Sequence, residues 1–169
     1  MSRLRAGEWV AAIGSVGLLV VLFLDWFGVA HGSRAGWSAY APLALHTSGW
    51  SSLGWFMVTL LALLILGGLS MTYMTMRRIS PALPLVTSAV TASAGSLVFV
   101  ILAVRVATQP GLGAGLSNAM VSVRLPAYLG LLFAAMIVAG AWHADRDERL
   151  HAPESAYTPP PARPVPGTR

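Results

Sequence analysis

The chain has 169 residues, 56% hydrophobic and 10% charged, with a mean hydropathy of +0.68 and a net charge of +5 carried by arginine without any lysine. That balance excludes an ordinary soluble domain, and the absence of cysteine excludes a disulfide framework or a thiolate metal or redox site. The arginines flank apolar runs instead of clustering on a polar face, which argues against nucleic acid as a partner.

A membrane helix needs about 20 mainly apolar residues to cross roughly 30 Å of hydrocarbon. Four runs qualify: residues 9–30, 53–76, 82–104 and 125–143. The predicted fold class is all-α, a four-helix transmembrane bundle within residues 1–150, followed by a disordered Pro-rich cytoplasmic tail over 151–169. Loops rich in arginine tend to remain cytoplasmic. Arg3, Arg5, Arg77, Arg78, Arg146, Arg149, Arg163 and Arg169 fall on one side, against Arg34, Arg105 and Arg124 on the other. Both termini are therefore expected in the cytoplasm of a multi-pass plasma-membrane protein.

The first run opens with Glu8, an acid near the positive end of a helix dipole, and Trp9, an indole suited to the headgroup level. Gly14, Leu18 and Asp25 share one face of a helix continued to residue 30. "MSRLR" before an apolar stretch ending in "GVA" also matches a signal peptide cut after Ala30, and cleavage would remove Asp25. The loop that follows holds Trp37, Tyr40 and Trp50, read as an interface belt. His31 and His46 lack an acid or cysteine at ligand spacing and read as solvated.

The second run is almost uniformly apolar, with Met71, Met74 and Met76 read as packing residues. "RRISP" returns the chain, Ser80 as cap and Pro81 in the first helical turn. The third run is built from small and hydroxylated residues, and Ser88, Ala92 and Ser96 form a small-residue stripe that places it at the centre of the bundle. A polar conduit is the competing reading, opposed by the tendency of Ser and Thr to bond to their own helix. A Gly-rich outer loop without a phosphate-loop pattern precedes the fourth run. That run begins near Pro126, offers Gly130 and Ala134 for contact, and ends at Trp142. "HADRDERLH" alternates acids with arginines and reads as paired charge; no metal or cofactor is expected.

Asp25 is the anomaly in the first run. On the four-span topology it lies at the same level as Arg105 and Arg124, about 7 Å inside the outer end of its helix, within reach of a snorkelling arginine. A lone aspartate costs about 2.5–3.5 kcal/mol at the bilayer centre and less near the surface, and a guanidinium offsets much of it. The expected cluster is Asp25 bridged to Arg105 or Arg124, with Tyr128 one turn beyond Arg124. Two readings follow: a stabilising pair, or a positive patch that attracts an anionic lipid headgroup or solute.

The tail carries six prolines in 19 residues and a PxxP at Pro161–Pro164, an expected ligand for a domain that binds polyproline II.

With "VRLPAYLGL", "RVATQPG" and "AWHADRDER", the chain resembles small four-helix integral membrane proteins of actinobacterial type, a group to which no activity is assigned. The resemblance implies a fold and no chemistry. That group often shows "LPW" where this chain has "LDW", so Asp25 stands where its relatives carry proline. The tetraspan junction proteins also have four spans and a tryptophan-bearing first loop, but their paired-cysteine signature is missing here.

At the outer surface the inventory of one acid, two loop histidines and no nucleophile with an evident base points away from an enzyme acting there. The expected function is a noncatalytic, structural or accessory membrane component. Its expected partners are membrane lipids, other membrane proteins or further copies of itself. The alternatives are a small transporter or channel subunit using the hydroxylated third span, or an anionic-lipid-binding protein using the outer arginines.

Overall fold

The structure, a computed structural model, describes residues 6–29, 47–77, 82–108 and 121–150. Expectations for Arg34, His31, His46, the Ser80–Pro81 turn, the Gly-rich loop before residue 121 and the Pro-rich tail fall outside those residues. The described chain runs α1 (Ala6–Val21), β1 (Asp25–Val29), β2 (Thr47–Ser48), α2 (Gly49–Ser52), α3 (Gly54–Arg77), α4 (Ala82–Ala107), β3 (Val121–Val123) and α5 (Leu125–Leu150).

Segments of α3, α4 and α5 are long and apolar enough to cross a membrane, namely Gly54–Arg77, Val86–Ala107 and Leu125–Asp147. The shorter α1 has 16 residues, a length of about 24 Å. These helices form an up-and-down bundle. Each packs chiefly on two neighbours, α1 on α3 and α5, and α4 on α3 and α5. Ile13, Val16, Leu63, Leu66, Val90, Leu97, Val100 and Leu132 face outward and exposed, as lipid-facing positions do in a bilayer. Trp9, Tyr73 and Trp142 are exposed near one end, Trp55 and Tyr128 near the other. Tyr73 and Trp55 stand about 27 Å apart along α3, and Tyr128 and Trp142 about 21 Å apart along α5, spacings close to a hydrocarbon core between two aromatic belts.

The tightest packing is between α1 and α5, not around α4. A Cβ at Gly7 would lie 2.7 Å from the Gly140 oxygen, and one at Gly14 2.8 Å from the Phe133 oxygen. Backbones in lipid approach this closely only where side chains are small. The stripe on α4 is part of a wall: Ser88 is fully buried and Ala92 nearly so, but neither makes the closest helix crossing.

The helix expected over 9–30 ends at Val21 instead. Phe23 and Leu24 donate to the Val20 and Val21 oxygens at 3.1 and 3.0 Å, the tighter bonding that closes a helix. The Trp26 indole then donates to the same Val21 oxygen at 2.8 Å, a second bond to a carbonyl at the helix end, where acceptors lack the usual partner a turn further on. From Asp25 the chain is a strand. It pairs antiparallel with β3 (Phe27↔Val123, Gly28↔Ser122, Val29↔Val121) and with β2 (Asp25↔Ser48, Phe27↔Thr47, with a register irregularity between). The resulting sheet, ordered β2-β1-β3, caps one end of the bundle, so the fold is helical with a small β addition. Gly54 has φ +76°, a left-handed turn between α2 and α3 that glycine adopts without strain.

Candidate functional site

Two polar arrangements stand at opposite ends of the bundle. At the sheet end, Arg124 follows β3 and opens α5. Its N–H donates to the Trp26 oxygen at 2.9 Å, which fixes its backbone to β1. Its side chain then lies across Gly28, where a Cβ would meet Nε at 2.6 Å. The missing side chain at Gly28 is what lets the guanidinium cross the strand. It ends with Nη1 3.9 Å from Asp25 Oδ2, the two side chains being 34% and 45% exposed. At that distance the contact is an ion pair without a hydrogen bond, and exposed pairs of this kind contribute about 0–1 kcal/mol.

The structure brings Asp25 and Arg124 together, though Asp25 begins a strand in place of sitting within a membrane helix. Arg105 lies exposed near the end of α4, and its carbonyl accepts from Thr108 Oγ1 at 3.3 Å. Tyr128 is exposed, and among the described residues no hydrogen bond joins it to the Asp25–Arg124 pair.

Beneath this surface lies the feature that sequence reasoning missed. Trp26 and Phe27 are fully buried. Trp26 fits notches at Gly49, whose Cβ would meet its Nε1 at 2.9 Å, and Gly130, whose Cβ would meet its ring at 2.3 Å. One side chain therefore joins β1, α2 and α5. The ladder continues on the far side, where Ser122 Oγ donates to the Gly28 oxygen at 3.1 Å. The available signal was the composition of "DWFGV", aromatic and β-branched residues around a glycine, which favours a strand.

At the opposite end Glu8 is 2% exposed. It stands in the first turn of α1, as the sequence placed it, and the structure buries it because Gly7 allows α1 to settle on Gly140 and Ala144. Thr75 Oγ1 donates to Glu8 Oε1 at 2.9 Å, and Thr72 Oγ1 lies 3.3 Å from the Glu8 backbone oxygen. Further along the α1–α3 seam, fully buried Ser15 donates to the Ala11 oxygen at 2.8 Å. It fits against Gly68, where a Cβ would collide with its hydroxyl. On α4, Ser93 and Ser96 donate to the Ala89 and Ala92 oxygens at 2.6 and 2.7 Å. These hydroxyls satisfy themselves on their own helices.

The chain matches no family model, no curated protein and no solved structure. The reading of this site therefore rests on its own residues. Among the described residues no three of His, Cys, Asp and Glu stand together at metal-binding range.

Proposed function

We propose that this chain is a noncatalytic, multi-pass component of the plasma membrane, with both termini cytoplasmic, that serves as a structural or accessory partner for other membrane proteins. The observation that carries the reading is the close packing of the helices. Glycine faces close α1 onto α5 at backbone contact, and hydroxyls along the seams bond to their own helices. That arrangement supports packing over transport. Orientation follows from arginine in the sequence: the runs divide eight arginines to the side read as cytoplasmic from three to the other. The resemblance to small actinobacterial-type membrane proteins is consistent with this role and supplies no activity.

The natural absence of cysteine makes the orientation directly testable. Ser51→Cys at the sheet end reacts with a membrane-impermeant maleimide on intact cells, whereas Thr158→Cys in the tail reacts only after lysis; the reverse pattern overturns the orientation. Purified protein in liposomes passes no more ions or small solutes than empty vesicles do. A reproducible flux overturns the packing role in favour of a transporter or channel subunit.

A further inference from the structure

A groove of about 430 Å³ opens between α4 and α5 toward the end of the bundle opposite the sheet, its wall including Phe99, Val138, Ala139, Trp142, His143 and Arg146. Along α5 these side chains recur every three or four residues, so they share one face. From Ala135 to Arg146 the groove follows the helix for about 16 Å. Its floor is apolar and its end is cationic. Arg146 stacks over the Trp142 ring, 5.7 Å from its centroid, which holds the guanidinium at the level of the aromatic belt. A neighbouring hollow on the other side of Trp142 and Arg146 is lined by Ala89, Ala92, Ser93 and Asp145. The Asp145 carboxylate thus borders that second hollow, and among the described residues no carboxylate lines the first.

We propose that this groove binds one anionic phospholipid, its phosphodiester held by Arg146 and His143 and an acyl chain laid along Val138, Ala139 and Phe99. A guanidinium at headgroup depth above an apolar channel fits a lipid better than a free phosphate, which has no use for the channel. It also fits an anionic headgroup better than a zwitterionic one, whose ammonium group would approach Arg146. Basic pockets between membrane helices recognise lipid headgroups on this principle.

The test uses the full chain in mild detergent, with native mass spectrometry counting retained dioleoyl phosphatidylglycerol against dioleoyl phosphatidylcholine. Wild type retains phosphatidylglycerol in preference. Arg146→Gln lowers that retention about tenfold or more. Ala139→Trp, at an exposed position, lowers it by blocking the chain while the guanidinium remains. Arg105→Gln at the other end leaves it unchanged, and each variant keeps the wild-type melting temperature, which separates lost binding from lost folding. Equal retention of both lipids, retention unaltered by either groove variant, or displacement by inorganic phosphate alone overturns the proposal.

Discussion

Replacing Gly140 with alanine adds one methyl group at the closest crossing in the bundle. Its Cβ would stand 2.5 Å from the Gly7 oxygen and 2.6 Å from the Ala11 nitrogen, both backbone atoms that no rotamer change can move. Restoring ordinary contact requires α1 and α5 to part by about 1 Å, and a gap of that size forfeits a quarter to a half of each dispersion contact along the seam. Overpacking of this kind costs about 1–3 kcal/mol. Alanine's better helix propensity returns about 0.5–1 kcal/mol, which leaves a net loss of up to about 2.5 kcal/mol, placed toward the upper end because both clashing atoms are backbone.

Gly95→Ala is the matched control. Its Cβ would meet the Leu64 Cδ1 at 2.8 Å and the Val138 Cγ2 at 3.1 Å, ends of side chains that can turn aside, and the change should fall within about 0.5 kcal/mol of wild type. Reversible unfolding in mixed micelles, titrated with dodecyl sulfate and followed by tryptophan fluorescence, measures both. A Gly140→Ala protein as stable as wild type, or a Gly95→Ala protein equally damaged, refutes the assignment of α1–α5 as the rigid seam.

Trp26→Ala should destabilise the bundle by roughly 3–5 kcal/mol and Trp26→Phe by less, since phenylalanine keeps most of the buried ring but loses the bond to the Val21 oxygen; limited proteolysis between β1 and α2 reports the loosened cap, and equal resistance in all three proteins rejects the keystone role. Glu8→Ala should cost about 1–3 kcal/mol and Glu8→Gln less, because the amide oxygen still accepts from Thr75; the opposite order in thermal melts counts against the contact. Asp25→Asn should shift stability by less than about 1 kcal/mol, given the partly exposed pair; a larger loss means that the carboxylate does more than face Arg124.

Hydropathy located α3, α4 and α5 well, because in lipid an uninterrupted apolar run has few options besides a helix. It failed in the first run for a related reason. Leu22 to Val29 is as apolar as the helix before it, and a short apolar run cannot be assigned to helix or strand by periodicity alone. What makes it a strand is its pairing with Val121–Val123, nearly a hundred residues away and invisible to any local window. Asp25 and Arg124 were legible as a potential pair because topology puts them at one level. The path of Arg124 over Gly28 was not, since it depends on the register of that pairing. Glu8 was legible as a first-turn acid, but its burial was not, because that is decided by Gly7 meeting Gly140, far apart in the sequence.

The glycine seam joins α1 to α5, helices made more than a hundred residues apart. Until Leu125 and its successors leave the ribosome, α1 must wait in the membrane with its notched face and its glutamate lacking their final shelter. The seam closes only once α5 is in place. A chain that has made α1 but not α5 thus holds that face without its counterpart, and the arrival of α5 removes the exposure in a single step.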